Sequence, residues 1–147
     1  MKFLNSLQPL SLFVLRLALA LIFIYHGYPK LAHSNEAMRE FFMLHGLPAY
    51  FVSVAGILEC FGSLLLLVGL FTRPAALLLA TEMAVAIWKV HSLHGALVVK
   101  EYEFPLTVAV ACFALATIGA GTLSVDHLFL GDSGGSKRRR SSKSSKD

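Results

Sequence analysis

The sequence predicts an all-α membrane protein: a bundle of four transmembrane helices, with a short interfacial helix between spans 1 and 2. Three observations carry this. The chain of 147 residues is 56% hydrophobic, with a mean hydropathy of +0.66. That is too apolar for a soluble domain, which needs a polar shell around one core. The apolar residues cluster in four stretches, each long enough or nearly long enough to cross a bilayer. Three of the stretches hold an interior charge: Arg16, Glu59 and Glu82. Such a charge costs roughly 2.5–3.5 kcal/mol on insertion scales, so the three are expected to face one another rather than lipid.

The first span is read as Leu10 to Tyr28. Ser11 can cap its start, and Gly27 and Pro29 can end it. Ala18-Leu19-Ala20 has the look of a signal-peptide cleavage site. The apolar run continues past it to Tyr25, however, and Arg16 interrupts what should be an uncharged core, so the helix is read as retained. A polar connection, Lys30 to Leu47, follows. Within it, Glu36 to His45 mixes charge with Met38, Phe41, Phe42 and Leu44, which suits a short helix lying at the interface. The second span is Tyr50 to Phe71. Thr72-Arg73-Pro74 makes a turn, and Pro74 suits the first turn of the third span, Ala75 to Val90. A polar loop, His91 to Glu103, leads to the fourth span, Phe104 to Leu123, which closes at Gly119-Ala120-Gly121. Residues 1–130 thus form one membrane domain. Residues 131–147 are expected to be a disordered basic tail.

Charge sets the orientation. The tail holds six basic residues (Lys137, Arg138, Arg139, Arg140, Lys143, Lys146) and two acidic ones (Asp132, Asp147), so it accounts for the whole net charge of +4. With four spans, Lys2, Arg73 and the tail lie on one side, while Lys30, Arg39, Lys89 and Lys100 lie on the other. The positive-inside rule then places both termini in the cytoplasm. The tail either sets topology alone or also binds anionic lipid. Nucleic acid is not an expected partner, because the basic run lacks interleaved aromatics and any folded nucleic-acid motif.

Helical spacing sorts the faces. On the second span Val52, Ala55, Gly56, Glu59, Gly62, Ser63, Leu66 and Gly69 share a stripe of mostly small residues, the kind that lets membrane helices pack closely. On the first, Arg16, Ala20, Phe23, Gly27 and Lys30 align, with His26 beside them; on the third, Ala75, Leu79, Glu82, Ala86 and Lys89. On the fourth, Ala109, Cys112, Ala116 and Gly119 make a small stripe with no ionisable group. Depth counted from the span ends puts Arg16 and Glu82 within about two turns of the cytoplasmic side and Glu59 nearer the middle. An Arg16–Glu82 pair is therefore expected, with Glu59 as the surplus carboxylate. His26, Lys89 and His91 are expected in a second polar layer near the outer face, as ligand-binding candidates. The charged layer either fixes helix register or handles a proton, ion or ligand.

The remaining chemistry is weaker. Cys60 and Cys112 form no C-x-x-C and no metal-ligand spacing, so no metal site is expected. The six histidines include His91-x-x-His94 but no H-E-x-x-H. They read as surface or interface residues, with bis-histidine haem or quinone contact as the alternatives.

The order of several short motifs resembles the DoxX family of membrane proteins. These are Leu15-Arg16-Leu17, Phe23-Ile24-Tyr25-His26-Gly27-Tyr28-Pro29-Lys30-Leu31, Ala55-Gly56-Ile57-Leu58-Glu59, Leu67-Val68-Gly69-Leu70-Phe71-Thr72-Arg73-Pro74-Ala75, Gly119-Ala120-Gly121 and Ser124-Val125-Asp126. The resemblance implies a four-helix protein of the bacterial inner membrane. Its relatives include a subunit type of thiosulfate:quinone oxidoreductase and a membrane partner of thiol-oxidant detoxifying enzymes. Arg16, Glu59, Gly69, Arg73 and Asp126 match the family's recurring polar and glycine pattern. The Ser/Lys/Arg tail lies outside it.

Together these lead to a membrane subunit supporting redox chemistry at the quinone level with soluble partner proteins. In this reading Glu59 and Glu82 handle protons or hydrogen-bond a quinone-like ligand, and Arg16 orients them. The sequence has no dinucleotide fingerprint, no iron–sulfur cysteines and no flavin motif, so catalysis by this chain alone is not expected. Among cofactors a quinone is considered first and haem second. A small ion or substrate transporter and a structural scaffold for cytoplasmic partners are the alternative readings. The outer surfaces leave room for a homodimer.

Overall fold

A computed structural model describes residues 6–32, 36–91 and 99–130. Among them every regular element is helical: α1 (Gln8–Ala32), α2 (Glu36–Leu44), α3 (Phe51–Val68), α4 (Thr72–Ala86) continued by a π-helical turn (Ile87–His91), α5 (Val99–Ile118) and α6 (Val125–Leu130). The tail 131–147, with His33, Asn35 and His94, lies outside the described residues.

Helix α1 is longer than its apolar run suggests. It starts at Gln8, so Ser11 is not its cap; the Ser11 hydroxyl donates to the Gln8 carbonyl instead, at 2.9 Å. Pro29 does not end it either. Pro29 has no N–H to give the Tyr25 carbonyl, yet the helix runs on through Lys30 to Ala32. Helix α2 has no buried residue. It closes in a Schellman motif: Gly46 (φ 71) donates to Met43, and Leu47 donates to Phe42.

The third span begins earlier than predicted, at Thr72, and gives way to the π turn instead of running on as α-helix to Val90. The fourth starts at Val99 and stops at Ile118, where Gly119 (φ 100) turns the chain; part of the predicted polar loop is therefore helix. Helix α6 was not foreseen from the sequence.

The helices pack as two antiparallel pairs, α1 with α3 and α4 with α5, joined chiefly through α3 and α4. Small residues set the first pair. Gly27 of α1 lies against Glu59 and Cys60, Gly56 of α3 lies against Lys30 and Leu31, and Gly69 lies against Arg16. A Cβ on Gly27 would sit 2.8 Å from Glu59 Cβ and 2.9 Å from Cys60 Sγ, so only glycine allows this approach. Gly62 meets Leu79 in the same way between α3 and α4. The core comprises Leu12, Leu19 and Phe23 of α1, Leu66 of α3, Ala75, Ala76, Leu79 and Ala80 of α4, and Val108, Cys112 and Leu115 of α5.

The outside is as apolar as the inside. Val14 and Leu21 on α1, Ile57, Phe61 and Leu64 on α3, Leu77 and Leu78 on α4, and Val110 and Phe113 on α5 are all exposed, while Arg16 and Glu59 are buried. Burying charge while exposing leucine and phenylalanine suits a surface that meets lipid, not water. Gln8–Leu31 and Phe51–Val68 are long and apolar enough to cross a membrane; Tyr102–Ile118 is apolar but shorter. Of the four predicted spans, these two meet the criterion of length and composition.

Candidate functional site

Two polar layers sit inside this apolar body, one toward each end. The first joins α1, α3 and α4. Glu59 is 1% exposed, and its Oε2 accepts from Lys30 Nζ at 2.6 Å. The pair exists because α1 continues through Pro29, placing Lys30 on the stripe of Arg16, Phe23 and Gly27. Glu82 of α4 stands at the same level, within electrostatic reach of both Glu59 and Lys30. Its Oε2 is buried with no hydrogen-bond partner among the described residues. Cys60, half-buried, adjoins the pair, and Ser63 below it donates to the Cys60 carbonyl at 2.7 Å.

His26 lies beside this layer at the α1–α5 contact. Its Nδ1 bonds the Ile22 carbonyl at 2.8 Å, which requires a proton on Nδ1. Its ring faces Phe104, centroids 5.8 Å apart, and Glu59 is within its electrostatic reach. Lys89, half-buried, rests its ammonium 4.9 Å above the Trp88 ring. The backbone of His91 ends the π turn, but its side chain lies outside what is described.

The second layer is built around Arg16, 1% exposed. Its Nη2 donates to the Leu123 carbonyl. Asp126 is its anionic neighbour. The Asp126 carboxylate also accepts from Phe71 N at 2.7 Å and Thr72 N at 2.9 Å, and Asp126 N donates to the Gly69 carbonyl at 2.8 Å. Asp126 thus caps α4 from a remote helix. Phe71, the residue before α4, holds a left-handed backbone at φ 49. Arg73 donates to the Ile118 carbonyl at 3.3 Å, fastening the end of α5 to the same corner.

The predicted Arg16–Glu82 pair does not form. Helix α4 starts beside Arg16, so Glu82 stands about 15 Å farther along it, level with Glu59. Lys30 pairs with Glu59 instead, and Arg16 turns to the Leu123 carbonyl, with Asp126 as its anionic neighbour. Glu59 and Glu82 do come together, with Glu82 rather than Glu59 left without a partner. Lys30 lies on the stripe that the spacing predicts, but nothing local in the sequence pairs it with Glu59. The capping role of Asp126 has no local signal, since its partners lie far away in sequence. Among the described residues no group of three or more His, Cys, Asp or Glu is placed to hold a metal ion.

A helical body with charge inside and apolar side chains outside is that of a membrane protein. Residues 11–92 match the DoxX family, and the chain belongs to it. The match covers α1 to the π turn, and so the whole Lys30–Glu59–Glu82 layer. An "Uncharacterized protein" of Haemophilus influenzae is 40% identical over 91 residues, which make up 62% of this chain and 66% of that protein, just under two thirds of its length. No solved structure matches the chain.

Proposed function

We propose that the chain is a multi-pass subunit of the bacterial inner membrane that supports redox chemistry at the quinone level with soluble partner proteins. The carrying observation is the buried, unpartnered Glu82 Oε2 beside the Lys30–Glu59 pair. An acceptor left free at that depth suits a ligand hydroxyl, and the neighbouring ammonium suits a ligand carbonyl. A quinone and its quinol offer these two groups. When a quinone is reduced there, two electrons arrive from the soluble partner, and two protons reach its oxygens by way of Glu59 and Glu82. Lys30 holds Glu59 in place; His26 and Lys89 mark the side from which protons or ligand approach.

Four crossings fit this reading. The α4 segment with its π turn and the 20-residue α5 each reach about 30 Å at most. The contact of Arg16 with Leu123 brings the start of α1 and the end of α5 to one end, consistent with both termini in the cytoplasm. There the basic tail would meet anionic lipid. The exposed apolar faces would serve lipid and, where copies meet, a homodimer.

Native mass spectrometry of the purified full chain is the test. A quinone-mass adduct is expected on the wild type. Glu82→Gln should accumulate normally in membranes yet lose that adduct, together with partner-dependent quinone reduction. A wild-type protein free of quinone, in membranes whose quinone reduction is indifferent to both Glu82→Gln and Glu59→Gln, would sink the proposal.

A further inference from the structure

The Arg16 layer has more donors than it uses. The guanidinium is 1% exposed, yet only Nη2 is engaged; Nε and Nη1 are buried with no partner among the described residues. Thr72 is 0% exposed, and its Oγ1 has no partner either. Thr72 opens α4, a 15-residue helix whose first N–H groups point at the Asp126 carboxylate, and that same Asp126 is the anionic neighbour of Arg16. Arg16 Nη1 packs onto Gly69, where any Cβ would collide with it. The corner therefore gathers a guanidinium with free donors, a free buried hydroxyl, two backbone N–H groups and the positive end of a helix dipole.

That is more positive and donor-rich than one carboxylate satisfies. An arginine carries five N–H donors in a fork shaped for planar or tetrahedral oxoanions. Asp126 supplies two oxygens, and both go to backbone N–H groups. It comes from α6, a six-residue helix whose Leu128 and Phe129 are 80% exposed and which the Asp126 bonds fasten to the start of α4. Such an element can be displaced without unpacking the bundle.

We propose that the Arg16–Thr72 corner is a binding site for an oxoanion of the phosphate or sulfate class, and that Asp126 is its resident internal occupant. When an outside oxoanion binds, it takes the Phe71 and Thr72 N–H groups, the Thr72 hydroxyl and the idle Arg16 donors, and α6 is released. The oxoanion can come from solution or from a lipid headgroup, since the corner lies at one end of the apolar body. The proposal is independent of the quinone reading, which concerns the other layer.

The test is chemical rescue in the full chain. Asp126→Ala should melt below the wild type in detergent micelles. Inorganic phosphate at constant ionic strength should restore at least half of the lost Tm, saturably, whereas chloride should not. Adding Thr72→Val or Arg16→Lys should weaken the rescue several-fold, an effect that loss of a simple helix cap would not show. In the wild type, phosphate should speed amide hydrogen exchange over 125–130 while Phe71 and Thr72 stay protected. If only nanodiscs of phosphatidylglycerol, and not of phosphatidylcholine, produce these effects, the oxoanion is a headgroup. Should Asp126→Ala not accumulate, Asp126→Asn, which keeps one acceptor oxygen, takes its place. Absence of rescue by both phosphate and phosphatidylglycerol overturns the proposal, as does rescue indifferent to Thr72 and Arg16, or wild-type α6 exchange that neither ligand changes.

Discussion

Replacing Lys30 with methionine isolates what holds the first polar layer. Met fills nearly the volume of the lysine stem but cannot donate, so Glu59, 1% exposed, loses its 2.6 Å partner. Removing one member of a buried pair costs about 3–5 kcal/mol, because the other charge stays buried and uncompensated. The Lys30 side chain is 15% exposed, which admits some water near Nζ, so the low end, about 3 kcal/mol, is expected. Glu59→Gln should be milder, about 1–2 kcal/mol, because the freed ammonium can swing toward solvent on its flexible stem. The double variant Lys30→Met/Glu59→Leu should return to within about 1 kcal/mol of wild type, since a buried ion pair is readily replaced by apolar packing. Reversible unfolding by dodecyl sulfate in mixed micelles reads all three. Circular dichroism reports helix, and Trp88, the single tryptophan, reports the π turn. A Lys30→Met loss below about 1 kcal/mol, or a double variant as unstable as the single, would refute the assignment of the pair as the layer's anchor.

Further outcomes follow from the second layer. Gly69→Ala forces a side chain into a left-handed backbone at φ 74 and into Arg16 and Ser124, so it should cost about 2–4 kcal/mol. Gly46→Ala is the control: its φ is similar, at 71, but nothing lies within 4 Å, so only the backbone cost of about 1–2 kcal/mol remains. Thermal melting of the two variants side by side separates strain from collision. Phe71→Gly should stabilise by up to about 1 kcal/mol, because glycine relieves φ 49 at an exposed position. Phe71→Val, β-branched at the same backbone, should lower the Tm instead.

The parts legible in the sequence are those where one local rule decides. Of the stripe Val52, Ala55, Gly56, Glu59, Gly62, Ser63, Leu66 and Gly69, all but the half-buried Ala55 are buried, because small residues at helical period leave only one face able to pack. The helix α2 follows in the same way from its mixed charge and apolar spacing. Where rules compete, local reading fails. Pro29 signals a helix end, but the helix runs on to Ala32, and Gly27 and Gly56 pack its last turns closely against α3. The early start of α4 depends on Asp126 bonding Phe71 and Thr72 across 55 and 54 residues, and no window of sequence reports it. Shifting that start moves Glu82 away from Arg16, so an error of a few residues at one boundary exchanged the partners of two charges.

The exchange of partners has a measurable consequence. Arg16 and Lys30 lie on one face of α1, about 20 Å apart along its axis. Between them the α1 stripe carries Leu19, Ala20 and Phe23, all buried and apolar, so no polar chain links the layers through this helix. Groups more than 7–10 Å apart without shared partners should act independently, within about 0.3–0.5 kcal/mol. Lys30→Met combined with Asp126→Ala should therefore show the sum of the two losses, whereas Lys30→Met combined with Glu59→Leu should not. A single network of Arg16, Glu59 and Glu82 would predict the opposite, with strong coupling between the ends. The cycle thus decides whether the protein holds one buried charged site or two. With two, the oxoanion corner and the carboxylate layer can be altered separately, and a variant that empties one leaves the other intact for assay.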